Sequence, residues 1–81
     1  MAITEIRLPQ SGMGMADGTI LVWHKAVGEH ISRGDPLCDI EAAKAVIEME
    51  APVSGTIVAI LVAAGENVPV NTPIVRIDEE D

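Results

Sequence analysis

Apolar and polar residues alternate along this chain in short runs, separated by residues that favour turns. In LCDIE (37–41), Cys38 and Ile40 share one face of an extended segment, with Asp39 and Glu41 on the other. IVRID (74–78) repeats the pattern, with Val75 and Ile77 opposed to Arg76 and Asp78. VIEME (46–50) sets Ile47 and Met49 against Val46, Glu48 and Glu50. Leu37 and Ile74 have the wrong parity for these faces and are read as packing where their strands begin. Pro36 and Pro73 open those strands, a position where a missing N–H is tolerated. EAAKAVIEME (41–50) has a helical composition, but the alternation in its second half and the nearby Pro52 argue for strand.

The chain is also a doublet. GTILVWHKAVGEHISRGDPLCDIE (18–41) aligns without a gap with GTIVAILVAAGENVPVNTPIVRID (55–78), at a constant offset of 37. Gly18, Thr19, Ile20, Ala26, Gly28, Glu29, Pro36 and Ile40 recur as Gly55, Thr56, Ile57, Ala63, Gly65, Glu66, Pro73 and Ile77. Two copies are too few for a solenoid, so the expected arrangement is two similar β-units facing each other about a pseudo-twofold axis. Turns are expected at AVGEH and SRGDP in the first copy and at AAGEN and VNTP in the second. Gly28, Gly34 and Gly65 are expected to take positive φ there. The prediction is one all-β domain over residues 1–81, of about eight short strands in two sheets, with the acidic end (78–81) as the start of a linker.

Within that plan Lys44 falls near the tip of a hairpin, CDIE–AAK–AVIEME, at the junction of the two halves. Acidic residues stand three positions before it at Glu41 and four after it at Glu48. A solubilising turn lysine is the plain explanation. Alanine, however, is a poor turn former, so local turn chemistry does not account for Ala42, Ala43 and Ala45. Small uncharged neighbours leave the amine accessible to a modifying enzyme, and acylation would turn it into a tether.

Composition narrows the alternatives. The formal charge is −8 and Trp23 is the one aromatic residue, so the clustered bases and stacking platforms of nucleic-acid binding are missing. Cys38 stands alone, which rules out an internal disulfide and a cysteine-based zinc site. His24 and His30 are six apart with no cysteine partner and read as surface or satisfied histidines rather than metal ligands. The longest apolar run, Ile57 to Ala64, is too short to span a membrane, and nothing resembles a signal peptide. A reducing interior, bacterial cytoplasm or mitochondrial matrix, is expected. No nucleophile–base pairing is visible, so intrinsic catalysis is not expected.

Several motifs taken together resemble the lipoyl domains of 2-oxo acid dehydrogenase acyltransferases, over about Ile3 to Ile77. They are Pro9, Met15 to Thr19, Trp23, Gly28–Glu29, Gly34 to Leu37, Ile40 to Ala45 and Ala51–Pro52. The resemblance implies a flattened barrel or sandwich of two four-stranded antiparallel sheets, with Trp23 in the core. It implies lipoic acid attached to Lys44 as an amide. It also implies four partners: a thiamine-diphosphate-dependent 2-oxo acid decarboxylase, an acyltransferase core, dihydrolipoamide dehydrogenase, and a lipoate ligase or lipoyl transferase. Partner recognition would fall on Glu41, Ala42, Ala43 and Ala45, and on the loop bearing Gly12, Met13, Gly14 and Met15. The chain departs from the family pattern at Ala42 and Ala43, where the family has Thr and Asp. Biotinyl carriers place Met on both sides of their lysine, where this chain has Ala; they and the glycine-cleavage lipoyl carrier are the alternatives.

Overall fold

A computed structural model of the chain describes residues 2–9, 16–42 and 45–80. The described residues form eight strands and no helix: β1 (Ala2–Arg7), β2 (Asp17–Trp23), β3 (His30–Ile31), β4 (Pro36–Ala42), β5 (Ala45–Glu50), β6 (Gly55–Ile60), β7 (Asn67–Pro69) and β8 (Pro73–Glu79). They make two four-stranded antiparallel sheets, ordered β1-β8-β6-β3 and β5-β4-β2-β7. The facing sides bury Ile20, Ile31, Leu37, Ile40, Ile57, Ile74, Val75 and Ile77 almost completely. Branched aliphatic side chains of this kind fill a thin gap between pleated surfaces.

The 37-residue offset reappears in the backbone hydrogen bonds. Gly28 N–H donates to the Ile57 carbonyl (2.7 Å), and Gly65 N–H donates to that of Ile20 (2.6 Å). Ile57 N–H donates to Glu29 and Ile20 N–H to Glu66, each at 3.0 Å. Each sheet is therefore not one repeat. The short strand β3 of the first copy completes the sheet of β6 and β8, and β7 of the second completes the sheet of β2 and β4. The two β-units expected from the sequence exchange their smallest strands, and β1 stands to β8 as β5 stands to β4.

The bulges repeat too. Pairing of β4 with β5 steps from Pro36↔Glu50 to Cys38↔Met49, and that of β8 with β1 from Pro73↔Arg7 to Val75↔Ile6. Leu37 and Ile74 are the extra residues, and both are fully buried. An extra residue resets the alternation, so the odd parity of these two residues follows from the bulge.

Gly28, Gly34 and Gly65 have φ of 93°, 92° and 93°, as expected of the turns they occupy, and Asn71 takes the place equivalent to Gly34 with φ 70°. Asparagine is among the few residues with a side chain that tolerate this region. At the chain end the expectation needs correction. Asp78 and Glu79 are not linker: they belong to β8, paired with Ile3 and Ala2, and Thr4 Oγ1 donates to Glu79 Oε2 at 2.6 Å.

Candidate functional site

The β4–β5 hairpin frames the candidate site. Its ladder contains Asp39↔Glu48, Ile40↔Ile47, Glu41↔Val46 and, last, Ala42↔Ala45. Strand parity sends Ile40, Ala42, Ile47 and Met49 toward the core and Glu41, Val46, Glu48 and Glu50 outward. Ala42, expected in the tip, is instead the buried last residue of β4, and Ala45 is the exposed first residue of β5. Only positions 43 and 44 separate these two register partners. Ala43 and Lys44 themselves lie outside the described residues, as do Gly12, Met13, Gly14 and Met15 of the loop expected beside them.

The neighbouring strands carry the frame inward. Glu41 pairs with Thr19 of β2 on one side and Val46 of β5 on the other. Thr19 Oγ1 accepts a hydrogen bond from Asn67 Nδ2 at 3.0 Å, which links β2 to β7 at the same end of the sheet. Val46 is 61% exposed, the largest value among the large apolar residues described, and is the direct register partner of Glu41. Sequence parity already placed Val46 on the outer face. The closeness of Asn67 to this end of the sheet was not legible, because it depends on the exchange of β7.

The base of the hairpin is anchored to the chain ends. Gly34 N–H donates to Ala51 O and Ala51 N–H to Asp35 O, each at 2.9 Å. Ser54 Oγ accepts Arg33 N–H at 2.8 Å, while its carbonyl accepts Glu80 N–H at 3.0 Å. Glu79 in turn pairs with Ala2 and Gly55. From this base the strand runs seven residues to Ala42, about 20 Å at the usual rise of a β-strand. Ala42 and Ala45 thus lie at the end of the hairpin away from Ala2 and Glu79.

The other residues singled out by the sequence lie away from the tip and have partners of their own. Trp23 is half-buried against the core, with Nε1 donating to the Val62 carbonyl at 2.9 Å. Burial pushes the Cys38 thiol up to about 12, with the charge of Asp39 as a smaller cause. His24 and His30 lie toward the surface, with Nε2 against Asp39 Oδ1 (3.0 Å) and Glu80 Oε1 (3.2 Å). Among the described residues no helix is long and apolar enough to cross a membrane.

Known proteins are similar to this chain in sequence and in fold. The biotin/lipoyl family, described as "Biotin-requiring enzyme", matches residues 4–77. The acetyltransferase component of the acetoin cleaving system of Bacillus subtilis is 36% identical over 75 residues, covering 93% of this chain and 19% of that protein. The beta subunit of the pyruvate dehydrogenase E1 component of Rhizobium meliloti is 46% identical over 71 residues, 86% of this chain and 15% of that protein. The acetyltransferase component of the Corynebacterium glutamicum pyruvate dehydrogenase complex is 37% identical over 78 residues, 96% of this chain and 12% of that protein. The chain thus spans less than a fifth of the length of these relatives. The solution structure of the lipoyl domain of the 2-oxoglutarate dehydrogenase complex of Azotobacter vinelandii superposes with a TM-score of 0.79 at 32% identity, covering 95% of this chain and 98% of that one. With eight strands in two sheets that exchange β3 and β7, and with this set of relatives, the chain belongs to the biotin/lipoyl domain family and is similar to the lipoyl domain of a 2-oxo acid dehydrogenase complex.

Proposed function

We propose that this domain is a non-catalytic swinging-arm carrier, with Lys44 the residue that receives lipoic acid as an amide. The supporting observation is positional. Lys44 is one of two residues between the register partners Ala42 and Ala45, in a hairpin whose base is linked through Ser54 to Glu80. The residues around it suit such a graft. Ala42 closes the core under the tip, and Ala45 is small, so neither competes with a modifying enzyme for space. Lipoate bound there would supply a dithiolane able to take up an acyl group and a pair of electrons.

The chain's own contribution is presentation. A rigid sheet holds the attachment point, the arm sweeps from it, and a linker raises the local concentration of that arm at successive active sites. The partners proposed are a thiamine-diphosphate-dependent 2-oxo acid decarboxylase, an acyltransferase core, dihydrolipoamide dehydrogenase and the ligase that loads Lys44, in a reducing interior. The exposed strip of Glu41, Val46 and Glu48 beside the tip offers partners an acidic and apolar surface. We place the domain as a module of a longer chain, since relatives that share it are several times its length.

The test is intact mass after co-expression with lipoate ligase or with biotin ligase. The expected result is a lipoyl increment on the wild type that is absent from Lys44→Arg. A biotin increment alone, or modification that survives in the variant, would overturn the assignment.

A further inference from the structure

On the outer face of the β5-β4-β2-β7 sheet, His24, Asp39 and Glu48 come together although 15 and 9 residues of sequence separate them in turn. One donor atom from each lies within 4.8 Å of the others. Among the described residues no other such group of three forms. We propose that these three side chains bind a divalent transition ion of the zinc class, independently of what Lys44 carries.

Three features carry the assignment. First, Asp39 and Glu48 are direct register partners on adjacent strands. Like charges directly opposite each other destabilise a sheet, and a divalent cation between them converts that repulsion into bridging. Second, His24 brings an imidazole to the same place, with Nε2 3.0 Å from Asp39 Oδ1. Its backbone is fixed by an N–H bond to the Leu37 carbonyl at 2.9 Å, beside the bulge of β4. Third, the spacing suits a small ion. Zinc bonds of about 2.1 Å set tetrahedral ligand atoms about 3.4 Å apart. The His24–Asp39 edge, at 3.0 Å, already approaches this, and a Glu48 oxygen lies within 4.8 Å of both. One nitrogen and two carboxylate oxygens select zinc or its neighbours over magnesium, which prefers an all-oxygen shell and keeps its waters. Water takes the fourth position, because the site is open to solvent.

His30 supplies an internal control. Its Nε2 lies 3.2 Å from both oxygens of Glu80, but no second carboxylate joins that pair among the described residues.

The experiment titrates zinc chloride into the unlipoylated chain in excess magnesium, followed by amide NMR. We expect shifts confined to the surroundings of His24, Asp39 and Glu48, saturating near one equivalent. His24→Ala and Glu48→Gln should each weaken binding by at least about tenfold, with His30→Ala unchanged. Glu48 is exposed, so its variant keeps the fold even if His24→Ala does not. Zinc binding that survives in Glu48→Gln, that spreads over the acidic surface, or that excess magnesium displaces would overturn the site.

Discussion

The indole N–H of Trp23, at the end of β2, donates to the carbonyl oxygen of Val62 at 2.9 Å. The two residues belong to different copies of the repeat, so this bond ties one half to the other from the side chain, beyond the exchanged strands. Trp23→Phe keeps most of the ring contact and removes the donor. The expected loss is about 1 kcal/mol, read as a lower urea midpoint by circular dichroism, since the variant has no tryptophan fluorescence to follow.

Gly55 and Gly65 predict two different penalties for the same substitution. A Cβ on Gly65 meets nothing nearby, but φ is 93°, so Gly65→Ala should cost only backbone strain, about 1–2 kcal/mol. A Cβ on Gly55 would run into the backbone carbonyl of Asp78 on β8, and a main chain locked in a ladder cannot swing aside. Gly55→Ala should cost about 3 kcal/mol or more. Equal midpoints for the two variants in urea would count against this ordering.

Cys38 predicts an alkaline weakness. Its thiol is raised from an ordinary value of 9.0 to about 12, first by burial and then by the negative charge of Asp39. The folded state therefore holds this proton more tightly than the unfolded chain does. Its contribution is complete below pH 9 and is lost as pH rises toward about 12, at up to about 1.4 kcal/mol per pH unit. Relative to Cys38→Ala, the wild type should lose more stability between pH 8 and pH 10. Native Cys38 should also resist iodoacetamide at pH 8 and react once the chain is unfolded in urea.

Ala43 stands where lipoyl domains of this family carry an aspartate, next to the proposed lipoylated lysine. Ala43→Asp is expected to change the rate of reductive acylation by a 2-oxo acid decarboxylase more than it changes the rate of lipoylation. Parallel rates from the two enzymes would assign that position no part in partner choice.

Much of this fold is written locally. The alternation in LCDIE, VIEME and IVRID appears as buried Cys38, Ile40, Val75 and Ile77, with partly covered Ile47 and Met49. Pro36 and Pro73 begin β4 and β8 as the missing N–H predicts. Leu37 and Ile74 break the parity because each is an extra residue in its strand, and a bulge depends on the partner strand rather than on its own sequence. The exchange of β3 and β7 was hidden for a related reason. A repeat specifies which segments are equivalent, not which sheet each one joins. Lys44 is proposed as the attachment point from the repeat junction and the family motifs, both of them features of the sequence. The meeting of His24 with Asp39 and Glu48 was not legible there, since it follows from a turn closing back on a neighbouring strand.

Ala2 and Glu79 are register partners in the β1–β8 ladder. A host polypeptide would therefore enter and leave this domain at a single point on its surface. Viewed from the host, the domain is a closed loop hung on the main chain, and its insertion need not stretch or redirect the segments on either side. A bead of this kind can be added at an end, doubled in tandem or spliced into an existing linker without redesigning its neighbours. Relatives that carry it include both acetyltransferase components and an E1 beta subunit, as such portability would allow.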